Sequence, residues 1–338
     1  MLQSPQAADV AEQMARRARW TPLEIAFWLI AFSTIYFLPG RHLILTEIAI
    51  WALFALSLDL ILGYAGIVTL GHSAFFGLGA YTAGILSAKL GINDPFLGLT
   101  AAAAMSAALG LLTGAVILRT RALTLLMLTL AITAILLEIA NKWTTMTGGA
   151  DGLSGVQVSP LLGLFRFDLY GKTAFLYCLV ALFAGWWLVR RIIYSPYGAM
   201  LTGIRDNATR MHAIGAPVYW RLVLIYTVSA TMAGVAGALL TQVNQFVGLN
   251  VLGLEPSGDL LVMLILGGVG RLYGAFVGPV IYLVVQDWLA KQYPEYWYFG
   301  VGALLITVVL FAPGGILGLA DKCLQLLRQK SSAKASAR

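Results

Sequence analysis

The sequence is poor in charged residues, in histidine and in cysteine. Only 11% of its 338 residues are charged, whereas a soluble domain of this size carries about 25%. Its two cysteines, Cys178 and Cys323, are far apart, and no two of its three histidines have the spacing of metal ligands. The low charge excludes an ordinary water-soluble fold, and we expect neither a metal site nor a disulfide.

The chain is correspondingly rich in apolar residues, which make up 59% of it. We therefore predict an all-α polytopic membrane protein with about eight to ten transmembrane helices, each needing about 20 residues to cross the hydrocarbon. The segment 258–269 is too short to cross alone and 72–90 begins in a Gly-rich stretch, so both are candidate broken or re-entrant elements. The candidate spans are 21–38, 43–62, 72–90, 96–118, 122–140, 172–189, 219–243, 258–269, 273–290 and 296–312.

The basic residues predict the orientation of these spans. Ten crossings place 16 of the 22 Lys and Arg residues on one side, and this side is cytoplasmic by the positive-inside rule. The predicted organisation is a cytoplasmic tail (1–20), a permease domain (21–316) with an external loop (141–171) and a cytoplasmic segment (195–217), and a cytoplasmic tail (317–338). The net charge of +7 forms no concentrated basic face, so no nucleic acid is expected.

Small residues recur at intervals of four on several spans, which indicates close helix packing. Two Gly-rich segments, 71–79 and 267–278, look alike and lie in different halves, which predicts an internal pseudo-repeat and a translocation path, with packing as the alternative. We expect His72 to brace its Gly-rich turn by a hydrogen bond. The residues predicted to line the path are Asp59, Gly63, Tyr64, Gly66, Ile67, Gly71, His72, Phe75, Gly77, Gly79, Tyr81, Gly267, Gly268, Gly270 and Gly274.

No motif for catalysis or nucleotide binding is found in the chain. Gly171-Lys172-Thr173 resembles the end of a phosphate loop, but the required upstream glycine is Arg166. Hence we predict a transport subunit with no catalytic residue and no cofactor of its own, driven by ATP and Mg²⁺ on partner subunits. An ion-coupled secondary transporter is the alternative, although it needs an acid at mid-membrane. None lies clearly there among Glu47, Asp59, Glu138, Asp259 and Asp287.

The polar segment 195–217 has the signals of a cytoplasmic helix. Ser195 suits an N-cap, Pro196 the first helical position and Gly215 the end. Leu201, Ile204, Ala208 and Met211 form an apolar stripe on one helix, or on two short ones broken near Asp206-Asn207. We predict docking to a partner, with a helix lying on the membrane as the alternative. The predicted coupling residues are Ser195, Pro196, Tyr197, Gly198, Gly203, Arg205, Asp206, Asn207, Arg210, Ala213 and Gly215.

Five ordered motifs between about residues 50 and 316 resemble the M-type membrane permeases of branched-chain amino acid ABC importers. They are GYAG (63–66) with LGH (70–72) and AFFGLGAY (74–81), TGGADGL (147–153), SPYG (195–198) with RDN (205–207) and AIG (213–215), LGGVG (266–270), and FAPGG (311–315). Within the second motif, the predicted contacts of a binding protein are Gly148, Gly149, Asp151 and Gly152.

The resemblance implies an importer in the bacterial inner membrane. A second permease subunit, expected to be a different chain, two ATPase subunits and a periplasmic solute-binding protein would complete it, and segment 195–217 would dock on an ATPase. Family members often have Gln where Ile67 stands and Asn where Asp59 stands, and of the general ABC coupling pattern only Gly215 is kept. Urea, short amides or aromatic acids therefore remain open as substrates beside branched-chain amino acids.

Overall fold

The computed structural model describes residues 20–37, 40–120, 122–160, 171–312 and 314–319. All ten predicted spans correspond to helices, and the fold class is confirmed as all-α, with one isolated antiparallel bridge, Leu153–Val247, in these residues. Short 3₁₀ helices cover Gly149–Asp151 and Leu249–Leu252. The α-helices are α1 (Pro22–Phe37), α2 (His42–Leu62), α3 (Ser73–Ala88), α4 (Pro95–Ile117), α5 (Ala122–Lys142), α6 (Thr144–Thr147), α7 (Lys172–Ile193), α8 (Pro196–Ala213), α9 (Val218–Asn244), α10 (Leu254–Gly267), α11 (Gly274–Gln292) and α12 (Trp297–Phe311).

Six stretches of the described chain are long and apolar enough to cross a membrane, so the protein is a multi-pass membrane protein. The helices α1 and α3 are apolar but shorter. Most side chains of α5 face outward, whereas α2 is mostly buried inside the bundle. The six stretches are His42–Leu62, Pro95–Ile117, Leu123–Lys142, Lys172–Ile193, Val218–Asn244 and Trp297–Leu319.

Two helices, α2 and α9, form the centre of the bundle. The helix α9 packs against α2, α3 and α4, while α2 also packs against α7, α10 and α11. Large side chains such as Phe54 of α2 and Tyr226 of α9 are fully buried there. The short segment α8 lies outside this packing at one end of the bundle, which we call the α8 end.

Small residues bring the central helices into backbone contact, as their spacing predicts. On α3, a Cβ at Gly79 would overlap the backbone of Gly234 on α9. On α4, Ser106 lies against the same glycine, and Gly110 lies against Ala230. Because lipid supplies no hydrophobic drive between helices, such close approaches are a main source of helix association in membranes.

Two chain segments turn back into the bundle and account for the short helices α3 and α10. After α2 the chain reverses, so that His72 lies beside Ser57, within hydrogen-bond distance (2.9 Å) of its hydroxyl. A second segment follows α9 and runs back along α3, where Val247 lies near Gly84 and Leu252 near Gly77. The broken elements predicted at 72–90 and 258–269 are thus present, and the hydrogen bond predicted for His72 is found, with Ser57 of α2 as its partner.

An ion pair and an aromatic cluster attach α1 to α7. Glu24 and Arg190 are both buried, and their carboxylate and guanidinium lie 2.9 Å apart. The rings of Trp20, Trp186 and Tyr194 surround the guanidinium at 5.1–5.7 Å from their centroids. Such stacking and pairing suit a delocalised, weakly hydrated cation. The first helix is therefore fixed to the bundle by a buried ion pair near its beginning and by buried Trp28 at its middle.

Some predictions lie outside the described residues. Nearly all of tail 1–20, most of tail 317–338, residues 161–170 of the external loop, and Cys323 belong to this group. Cys178 is a buried free thiol.

Candidate functional site

The first half of α8 is anchored to the bundle. The Ser195 hydroxyl accepts a hydrogen bond from the amide of Gly198, and Pro196 opens the helix, as the sequence predicts. The Tyr197 hydroxyl donates to the carbonyl of Arg221 on α9 at 2.7 Å, and burial raises the pKa of Tyr197, which keeps this donor protonated. Leu201 is fully buried. This half therefore moves with the bundle.

The helix breaks at Asn207, whose φ of −160° and ψ of 93° are not helical. The Asn207 side chain caps the second half by accepting from the amide of Arg210 at 2.9 Å. Of the two alternatives, two short helices are therefore correct. The apolar stripe is wrong at Ala208, which is exposed, because the break ends the helical register that placed it beside Ile204.

The second half of α8 folds back on the first and presents its other side to solvent. The Met211 sulfur lies close to Gly203, eight positions earlier, in space that a side chain at position 203 would have to share with it. Beyond the helix, Gly215 has a positive φ of 84° and ends it. Ile214, an apolar side chain, is 71% exposed here. The tip therefore combines an exposed apolar side chain with two basic neighbours, Arg210 and His212.

Arg205 reaches from α8 to the end of α2. Its Nη1 donates to the carbonyl of Gly63 at 2.5 Å, and its Nε and Nη2 lie 3.2 Å from the carboxylate of Asp206. The aliphatic stem of Arg205 lies over Gly66, which has a positive φ of 73° and no side chain to obstruct it. The loop GYAG and the segment RDN, which are distant in sequence, are therefore in contact.

Two loops that contain family motifs meet at the same place, GYAG (63–66) after α2 and LGGVG (266–270) at the end of α10. Asp59 is buried, and its Oδ1 accepts from the amide of Gly270 at 2.7 Å. A Cβ at Gly63 would overlap the backbone of Gly270. Gly268 in turn lies against Gly315, which belongs to the last motif. Four of the five motifs that carry the family resemblance thus converge at the α8 end.

The remaining residues of the predicted path are mostly buried at helix contacts. Gly71 lies against Thr129, Gly77 against Leu252, and Gly267 against Gly274. Close packing is a sufficient reason for glycine at these positions. A role of these residues in translocation remains a prediction. Tyr64, Ile67, His72, Phe75 and Tyr81 are also buried.

The predicted external motif lies at the opposite end of the bundle. Gly148, Gly149 and Gly152 all have positive φ, which shapes a tight turn, and Asp151 is exposed on it. Leu153, which follows directly, exchanges two backbone hydrogen bonds with Val247. The turn is therefore fixed to the connection between α9 and α10, and it forms a defined surface at this end.

A cleft at this opposite end was not predicted from the sequence, because three distant helices form it. Its volume is about 560 Å³, and its lining combines carboxylates and amides with aliphatic side chains. Asp287 is paired with Lys291 at 2.7 Å. The lining residues are Leu43, Ile44, Glu47 and Ile50 of α2, Leu240, Val243 and Asn244 of α9, and Leu283, Gln286, Asp287 and Ala290 of α11.

A multi-pass bundle of apolar helices, in which two loops meet beside an exposed and broken helix at one end, is typical of membrane transport proteins. The chain belongs to the family described as the branched-chain amino acid transport system / permease component, whose model matches residues 41–309. It is thus a transport subunit.

Three curated relatives illustrate the similarity. The chain is 26% identical over 308 residues to the high-affinity branched-chain amino acid transport system permease protein LivM of Escherichia coli (strain K12), covering 84% of this chain and 71% of the relative. LivM of Salmonella typhimurium is 26% identical over 304 residues, with the same coverage. The probable permease protein LivH of Methanocaldococcus jannaschii is 26% identical over 320 residues, covering 86% and 97%. No solved structure matches the chain.

Proposed function

We propose that this chain is one of two permease subunits in an ABC importer for branched-chain amino acids, driven by ATPase subunits that bind its α8 end. The names of the relatives describe components of branched-chain amino acid transport systems. In this proposal the α8 end faces the cytoplasm of a bacterium, both termini lie there, and a solute-binding protein delivers the substrate to the opposite end. ATP and Mg²⁺ are bound by the ATPases.

The exposed second half of α8 is the observation that carries the proposal. It folds back at Gly203, stands outside the bundle and ends in the exposed side chain of Ile214. The charge asymmetry of the loops supports a cytoplasmic position for it. An apolar anchor with basic neighbours fits a cleft on a partner protein, where a central buried side chain supplies much of the binding energy.

Replacing Ile214 by glutamate tests the docking surface. We expect the ATPase subunits to co-purify about tenfold less well with this variant, because a charge replaces a central apolar anchor. Folding should be unaffected, since the side chain touches solvent rather than the core. Pull-down of the complete complex in detergent, followed by quantification of each subunit, measures the effect.

The matched control is Ile92→Glu, which makes the same change at an exposed isoleucine outside α8, in the turn between α3 and α4. This variant should retain the ATPases fully. If Ile214→Glu retains them equally well, the second half of α8 is not the docking surface and the proposal of ATP coupling through it fails.

The cleft at the opposite end offers the transported solute a place to enter. A branched-chain amino acid carries an ammonium group, a carboxylate and an aliphatic side chain. The cleft presents the carboxylates of Glu47 and Asp287, the amides of Asn244 and Gln286, and aliphatic walls. The polar and aliphatic groups of the cleft thus match those of the solute, which supports the cleft as the site where the solute first contacts the permease.

Replacing Glu47 by glutamine should lower uptake of leucine by about tenfold at saturating binding protein, because an uncharged amide pairs less well with an ammonium group. The control is Glu138→Gln, which removes an exposed carboxylate from α5, outside the cleft. Uptake into proteoliposomes measures both. Equal uptake by the two variants would show that the cleft does not receive the solute.

A further inference from the structure

We infer that Arg205 and Asp59 form a mechanical link, here called the clasp, that passes movement of α8 to the end of α2 and to the loop between α10 and α11. The clasp consists of Arg205, Gly63, Asp59 and Gly270. It rests on the proposed docking of α8 and goes beyond it, because it names the residues through which an ATP-driven displacement would enter the membrane domain.

The first contact of the clasp joins α8 to α2. The guanidinium of Arg205 donates to the carbonyl of Gly63, directly after α2, at 2.5 Å. Asp206 contacts two other nitrogens of the same guanidinium at 3.2 Å, which holds its plane in position. The absence of a side chain at Gly66 allows the stem of Arg205 to lie on the turn. A displacement of Arg205 therefore acts on the end of a central helix.

The second contact of the clasp joins α2 to the connection between α10 and α11. Asp59 lies four residues before Gly63 on α2, and its buried carboxylate accepts from the amide of Gly270 at 2.7 Å. The backbones of Gly63 and Gly270 are in contact. The two hydrogen bonds thus act in series, from α8 through the end of α2 to the loop between α10 and α11.

The position of Arg205 within α8 argues for transmission rather than attachment. Attachment is already supplied by Tyr197 and by the buried Leu201, both in the first half. Arg205 stands two residues before the break at Asn207, between the anchored half and the exposed half. The exposed half meets the first half at this junction and at the contact between Met211 and Gly203, so force on it reaches the bundle beside Arg205.

The test uses the complete transporter in proteoliposomes and measures solute taken up per ATP hydrolysed. Arg205→Ala and Asp59→Leu should lower this ratio about tenfold, because each removes one of the two hydrogen bonds of the clasp. The ATPase subunits should remain bound, and ATP hydrolysis should continue. Asp59→Asn should retain the ratio, because the amide oxygen can still accept from Gly270, and Arg205→Lys should give an intermediate value.

The matched control is Arg191→Ala, which removes an exposed arginine at the same end without touching the clasp. If Arg205→Ala and Asp59→Leu both take up as much solute per ATP hydrolysed as this control, the clasp does not transmit movement. Should Asp59→Leu fail to assemble, Arg205→Ala decides alone, since Arg205 is exposed and its loss leaves no cavity. Failure of docking is recognised separately, because Ile214→Glu would then retain the ATPases.

Discussion

Replacing Arg190 by alanine should destabilise the protein by about 3–5 kcal/mol, the cost typical of removing one partner from a buried ion pair. The carboxylate of Glu24 would remain buried between α1 and α7 without its principal cation. The rings of Trp20 and Trp186 would also lose the guanidinium on which they stack. Thermal unfolding in detergent, followed by size-exclusion chromatography, should show a clearly lower melting temperature.

The neighbouring residue supplies the control for this prediction. Arg191 is exposed and its guanidinium lies over the partly exposed ring of Trp187, so Arg191→Ala should change stability little. Replacing both Glu24 and Arg190 by leucine should recover part of the loss, because no charge is then left buried. Equal melting of Arg190→Ala and Arg191→Ala would show that the ion pair does not hold α1.

Replacing Gly79 by alanine should prevent assembly of the bundle. The added Cβ would overlap the backbone of Gly234, and backbone cannot rotate out of the way as a side chain can. The helices α3 and α9 would have to separate at the centre of the protein, at a cost above the about 1–3 kcal/mol that is usual for an overpacked core. The yield of monodisperse protein after membrane extraction measures the effect.

Gly302 of α12 is the matched control, because nothing lies within 4 Å of a Cβ at this position. Gly302→Ala should assemble normally, since alanine favours helix over glycine by about 1 kcal/mol. If Gly79→Ala assembles as well as Gly302→Ala, the close contact between α3 and α9 is not required for the fold.

The helices and the ends of α8 were predictable because the signals for them are local. Hydropathy gave all ten spans, and Ser195 with Pro196 marked the beginning of α8. The break at Asn207 could be placed only as one of two alternatives, since Asn is also tolerated within helices. Its consequence, the contact between Met211 and Gly203, depends on the angle of the break, and no residue spacing encodes that angle.

The contacts of the candidate site were not predictable because they are non-local. The sequence singled out Asp59, Gly63, Arg205 and Gly270, but nothing in it states that the amide at 270 bonds the carboxylate at 59, 211 positions away. Arg205 lies off the apolar stripe and suggests a solvated charge, whereas its guanidinium contacts the end of α2. The cleft was missed for the same reason, since α2, α9 and α11 each contribute only one side of it.

The attachment of α1 has a consequence for biosynthesis. The first helix enters the membrane early, yet the cation that neutralises its carboxylate lies 166 positions further along the chain. Until α7 is inserted, Glu24 near the beginning of α1 must remain hydrated at the lipid headgroups. The ion pair that joins α1 to α7 therefore forms late in assembly. If synthesis stalled before Arg190, α1 would remain in the bilayer without this attachment.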